Sequence, residues 1–174
     1  PMSPVVTVLM SVYNGARYLR PTIESILAQQ FQDWEFVIID DGSTDETPQI
    51  IAEYAAKDAR IRTKVLGHAG KVTGFNTGFA LAKGEFIAVT GADDISLPQR
   101  LTTQVNFLQA HPDIACMGSW VELIDAEGKV FGMLKYGATP AFLAWSLLLR
   151  NPVAACATMV RKTAGDALHW YSET

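Results

Sequence analysis

The run Phe86-Ile87-Ala88-Val89, followed closely by the adjacent acids Asp93 and Asp94, constrains this chain more than any other stretch. Apolar residues at every position indicate a strand covered on both faces, so the acids stand at a strand's carboxyl end. A helix is expected at once. Ser96 has the chemistry of a cap, Pro98 suits a first turn, and Leu101, Val105 and Leu108 recur at helical spacing. Ligands of open α/β sheets bind at this edge, and paired carboxylates there suit a hard cation, Mg²⁺ or Mn²⁺, that holds substrate phosphates. The plainer alternative is a solvated Asp-Asp turn that favours the helix start.

The same grammar recurs along the chain. Val5 to Val12 is apolar and β-branched, which predicts a buried first strand ending in the turn Asn14-Gly15. Leu19, Ile23, Ile26 and Leu27 then share a helix face, with Pro21 tolerated near its start. Glu35 to Ile39 predicts a second buried strand, which again ends in acids, Asp40-Asp41-Gly42. Ser43 and Glu46 have capping-box spacing for a helix carrying Ile50, Ile51 and Tyr54, and Ile61 to Leu66 predicts a third strand. Gly70, Gly74 and Gly78 punctuate the next segment, in which Val72, Phe75 and Phe79 share a face, predicting a loop near Gly70 and a helix up to Lys83. After His111-Pro112 the pattern becomes a hairpin, Ile114 to Ile124 and Val130 to Leu134 about a turn at Ala126-Glu127-Gly128. A helix over Ala141 to Leu149 and a strand over Val153 to Val160 follow, while Lys162 to Thr174 shows no strong pattern. Alternating strands and helices with one late hairpin predict an α/β fold, a mostly parallel sheet with helices on both faces.

The 174 residues suit one domain with a real core, and the formal net charge of -4 argues against non-specific nucleic-acid binding. Two cysteines, Cys116 and Cys156, form neither a zinc pattern nor a disulfide framework, and both lie in apolar runs expected in the core. A reducing cytoplasm is the expected compartment, and no signal peptide is expected ahead of the first strand. The apolar segment before Arg150 is too short to span a bilayer, which takes about 20 residues. No G-x-G-x-x-G follows the first strand, no P-loop occurs, and Asp40 to Glu46 does not fit an EF-hand.

Two acidic strand ends in one parallel sheet address the same edge, and so can meet different parts of one ligand. Lys71 adds a cation beside Gly70; its plain alternative is a solvated helix-end lysine. Tyr13 and His68, taken singly, are a packing aromatic and a loop residue.

Together, Ser11-Val12-Tyr13-Asn14-Gly15, Ile38-Ile39-Asp40-Asp41-Gly42-Ser43-Thr44-Asp45, Asn76-Thr77-Gly78, Ala82-Lys83-Gly84-Glu85-Phe86-Ile87 and Ala92-Asp93-Asp94 resemble the inverting glycosyltransferases of family 2, of GT-A type fold. Order and spacing match over roughly the first 110 residues; the remainder is looser. The resemblance implies an enzyme of glycan or polysaccharide biosynthesis that moves a sugar from a nucleotide-diphosphate donor, a UDP-sugar favoured, to a hydroxyl of a glycan or lipid-linked acceptor. It would be cytoplasmic and able to associate peripherally with the inner face of the membrane. Asp41 would accept hydrogen bonds from the base, Ser11 and Tyr13 would line the nucleotide pocket, and Asp93 would hold Mn²⁺ or Mg²⁺ with Asp94 beside it as a further ligand or orienting group. Lys71 would assist at the phosphates.

The chain departs from the family pattern at three places: Gly91 stands at the first acid of D-x-D, Phe75 where arginine is common, and His68 where asparagine is common. The family's catalytic base is an acid somewhat after a segment like Trp170-Tyr171-Ser172-Glu173, which places it beyond Thr174 and leaves Glu173 a candidate only by default. The expectation is therefore a single domain over 1–174, incomplete at its C-terminus, with 1–112 as the nucleotide-sugar-binding half and 113–174 as the start of the acceptor half. The competing reading is a non-catalytic nucleotide-sugar-binding module or degenerate relative. A nucleotidyltransferase of similar fold would need a glycine-rich basic loop after its first strand, which is missing.

Overall fold

The computed structural model describes residues 3–135, 139, 153–167 and 171. Strand β1 (Val6–Val12) pairs in parallel with β2 (Trp34–Asp40) on one side and with β4 (Phe86–Val89) on the other. Strand β3 (Ile61–Val65) pairs in parallel with β2. Late in the chain, β8 (Met159–Arg161) enters antiparallel to β4, and β5 (Cys116–Met117) pairs antiparallel to β8 at the sheet edge. Among the described residues the sheet order is β3-β2-β1-β4-β8-β5, and β6 (Val121–Ile124) with β7 (Val130–Leu134) forms a separate hairpin.

Helices cover both faces, which is why β1, β2 and β4 carry apolar residues at nearly every position. On one face Val6, Val8, Met10 and Val12 pack with Leu19, Ile23 and Ile26 of α1 (Ala16–Leu27), Ile50, Ile51 and Tyr54 of α2 (Thr47–Lys57), and Leu101, Val105 and Leu108 of α4 (Arg100–Ala110). On the other, Leu9, Val37, Ile39, Ile87 and Val89 pack with Phe75 and Phe79 of α3 (Lys71–Leu81). The glycines of α3 set its distance from the sheet. A Cβ on Gly74 would lie 2.2 Å from the Ser11 hydroxyl oxygen, and one on Gly78 2.2 Å from Leu9 Cδ1. Those glycines, with Phe75 and Phe79, make the buried face, while Val72 is exposed rather than sharing it.

Both expected caps are corrected. Helix α4 begins at Arg100, beyond Pro98, and its cap comes from just after α1: Gln29 Oε1 accepts the Leu101 N–H at 3.0 Å. Ser96 is buried, receiving the Arg100 guanidinium on its hydroxyl and giving its N–H to Ser25 Oγ. At α2 the Ser43 hydroxyl accepts the Asn14 N–H, so no capping box forms; Asp45 instead accepts the N–H groups of Thr47 and, across 29 residues, of Ala16 at the start of α1. At both helix starts long-range partners displaced the local ones.

The later chain departs further. Ile114 to Ile124 is not one hairpin arm: it divides between β5 in the main sheet and β6 in the hairpin, where the Ser119 N–H turns to the Ala157 carbonyl at 3.2 Å. The strand expected over Val153 to Val160 begins with a 3-10 turn, Ala155–Ala157, and Lys162–Ala167 forms a short helix, α5. Cys116 is exposed because β5 is an edge strand, and Cys156 is only half-buried, so neither is a core residue. The helix expected over 141–149 and the candidate Glu173 lie outside the described residues.

Candidate functional site

Three loops converge above the carboxyl ends of β1, β2 and β4. After β1, Asn14 takes a left-handed conformation (φ 51°), and its Oδ1 accepts the Thr44 N–H of the loop after β2 at 2.8 Å. After β2, Asp41 is buried and its carboxylate is gripped by the loop after β3, accepting the N–H of Ala69 at 2.7 Å and of Gly70 at 2.9 Å. Each oxygen retains a second lone pair for a ligand. Gly42 (φ 78°) is needed under this loop, since a Cβ there would meet the His68 nitrogen at 2.9 Å.

Between these loops and α3 lies a cavity of about 630 Å³. Its wall includes Ser11, Tyr13, Asp41, Lys71 and Asp93, residues from four separate segments. The sequence reading missed Tyr18, Cys156 and Tyr171, which also line it. Tyr171 is placed by α3, packing on Phe75 and Phe79 with ring centroids 5.8 and 5.7 Å away and exchanging backbone hydrogen bonds with the Asn76 side chain. Phe75, which stands where the family commonly has arginine, thus seats an aromatic at the cavity wall. No local sequence signal marks Tyr171, because its partners lie about 95 residues earlier.

The two adjacent acids part company. Asp93 is exposed at the cavity wall. Asp94 turns back: its Oδ2 accepts the Gly91 N–H at 2.7 Å, and its charge acts on the Cys156 thiol. Burial pushes that thiol up to about 11, with the Asp94 charge adding to the effect. Beneath the loop the Arg100 guanidinium binds the carbonyls of Val89 at 2.8 Å and Thr158 at 3.3 Å. Burial draws Arg100 down to about 10, so it stays cationic at neutral pH and partly balances Asp94. The loop is also strapped to α1 through Thr22 Oγ1, which donates to the Ala92 carbonyl at 3.0 Å.

Among the described residues no three His, Cys, Asp or Glu side chains converge as a metal cage. The lone outward carboxylate of Asp93 fits a cation whose remaining ligands are phosphate oxygens and water, as Mg²⁺ is commonly held. A second cavity, about 730 Å³, opens between the Asp93–Gln104 segment and the hairpin; it shares Asp93 and Cys156 with the first and carries Trp120, Met133 and Glu122.

The glycosyl transferase family 2 model matches residues 7–163. The chain belongs to that family. It is 37% identical over 135 residues to an uncharacterized glycosyltransferase of Methanocaldococcus jannaschii, covering 76% of this chain and 47% of the relative. It is 29% identical over 131 residues to the glycosyltransferase GlyG of Streptococcus pneumoniae, covering 75% and 44%. The chain thus spans about half the length of these relatives. Among solved structures, S. aureus TarS 1-349 in complex with UDP-GlcNAc matches with a TM-score of 0.74 at 20% identity, over 95% of this chain and 48% of that one. The mannosyltransferase PcManGT of Pyrobaculum calidifontis, in complex with GDP-Man and Mn²⁺, matches with a TM-score of 0.71 at 20% identity, over 96% and 47%. The fold is that of the GT-A glycosyltransferases. No helix among the described residues is long and apolar enough to cross a membrane.

Proposed function

We propose that the first cavity binds a nucleotide-diphosphate sugar and that the chain is the donor-binding part of an inverting, metal-assisted glycosyltransferase. The observation that carries this reading is the convergence of Ser11, Tyr13, Asp41, Lys71 and Asp93 on one cavity. Tyr13, nearly half exposed at the wall, offers a ring face to the base, and the free lone pairs of Asp41 accept its N–H groups. Lys71 opens α3, whose first turn has no side-chain cap, so a cation and unpaired N–H groups are together available for phosphate. Asp93 would hold Mn²⁺ or Mg²⁺ beside the diphosphate, with Asp94 orienting the loop through the Gly91 N–H. The cation, when bound, offsets charge that develops on the departing nucleoside diphosphate.

The acceptor hydroxyl approaches from the second cavity, which meets the first at Asp93. Of the acids lining the first cavity, Asp41 is committed to backbone N–H groups and Asp93 to the cation, so neither is free as general base. The acceptor is a glycan or lipid-linked hydroxyl, and the work is done in the cytoplasm or at the inner membrane face. The relatives solved with UDP-GlcNAc and with GDP-Man and Mn²⁺ support a nucleotide-sugar donor and a cation. The test is a thermal-shift panel of uridine, guanosine and adenosine diphosphates with Mn²⁺ or with chelator. A rise in Tm with one diphosphate, larger with Mn²⁺, is expected, uridine diphosphate being favoured; no response to any diphosphate would sink the reading.

A further inference from the structure

The loop after β3 holds both groups assigned to the base. His68 adopts φ 57°, a left-handed conformation rare outside glycine, and lays its imidazole on Tyr13 with ring centroids 4.2 Å apart. The same imidazole sets Nδ1 3.6 Å from Asp41 Oδ2, and the next two backbone N–H groups, Ala69 and Gly70, bind the two oxygens of that carboxylate. His68 is 63% exposed, so core burial does not explain its placement. Tyr13 lines the cavity and His68 does not; the imidazole packs against the ring from outside the wall.

We propose that His68 is a positioning residue for nucleoside recognition: it fixes the Tyr13 ring at the cavity wall and keeps the loop closed on Asp41. The proposal rests on the reading that Tyr13 and Asp41 meet the base. Without the imidazole, Tyr13 is free to rotate and must be ordered again whenever ligand binds.

The experiment is a double-mutant cycle on calorimetric affinity for uridine diphosphate with Mn²⁺ present, using wild type, His68→Asn, Tyr13→Leu and the double variant. Asparagine tolerates the left-handed conformation, so His68→Asn removes the ring without straining the loop. The expected loss in His68→Asn is about two- to tenfold, the range of an aromatic pair, with Tm nearly unchanged. In the Tyr13→Leu background the same substitution should cost little, because its effect runs through the ring. Wild-type affinity in His68→Asn, or an equal loss in both backgrounds, would overturn the positioning role. Failure of the wild-type chain to bind uridine or guanosine diphosphate at all would overturn the reading of the site instead, and with it this proposal.

Discussion

Gly91 and Asp94 lock each other: the Gly91 N–H donates to Asp94 Oδ2 at 2.7 Å, and a Cβ on Gly91 would lie 2.5 Å from that same oxygen. The missing acid of the D-x-D pattern is therefore built into the loop. Restoring it with Gly91→Asp should not create a two-carboxylate cation site; it should push Asp94 off its N–H and lower stability by ~1 to 3 kcal/mol, the usual cost of forcing atoms into an occupied space. Thermal denaturation with a parallel Mn²⁺ titration checks both halves, and an unchanged Tm with tighter Mn²⁺ binding would contradict the interlock.

Asp93→Asn should behave in the opposite way. The side chain is exposed, so folding stability should change by less than ~0.5 kcal/mol. The Mn²⁺-dependent part of nucleoside diphosphate binding should vanish, while calorimetric binding in chelator stays as in wild type. A large fall in Tm with metal-linked binding intact would make Asp93 a structural residue.

On the proposed reading Asp41 joins recognition to loop order, since its carboxylate also binds two backbone N–H groups of the loop after β3. Asp41→Ala should weaken uridine and uridine diphosphate by a similar factor, worth ~1.5 to 3 kcal/mol for charged hydrogen bonds. Amide exchange at Ala69 and Gly70 should accelerate in the same variant. Weakening confined to the diphosphate would assign Asp41 to the phosphates rather than to the base.

Far from the cavity, Glu35 supplies an acid-sensitive tie. Burial raises its carboxyl, but Arg62, the Lys83 N–H and the Thr7 hydroxyl outweigh that effect and hold it below the ordinary value of 4.5. A carboxylate with a depressed folded pKa stabilises fully above its unfolded value and loses that contribution as pH falls through the folded one. Stability should therefore decline on acidification below about pH 4.5, and Glu35→Gln should flatten that slope while costing ~1 to 3 kcal/mol at neutral pH. Denaturant titrations at several acidic pH values measure both effects; an identical pH slope in the variant would remove Glu35 from the account.

The parallel strands were legible because burial on both faces leaves an unbroken apolar signature, and Ser11, Tyr13, Asp41 and Asp93 because they lie at or shortly beyond the ends of those strands. Helix starts were not. Gln29 caps α4 and Asp45 caps α1 from distant positions, and a cap supplied across 72 or 29 residues leaves no mark in local spacing. Cys116 and Cys156 misled for a related reason: an apolar neighbourhood in sequence says nothing of an edge strand or of a turn between two cavities. The division of Asp93 from Asp94 was hidden too, since it depends on where Gly91 and Cys156 lie in space.

The antiparallel entry of β8 beside β4 sets a condition on how the protein is made. Ala88 meets Met159, 71 residues later, and Val89 donates its N–H to Thr158 at 3.0 Å. At synthesis rates of about 5 to 20 residues per second, β4 waits ~4 to 14 s on the ribosome with one row of backbone groups unpaired. An apolar strand in that state is a template for wrong pairing. The acidic loop waits with it, because Asp93 and Asp94 follow directly on that half-paired strand.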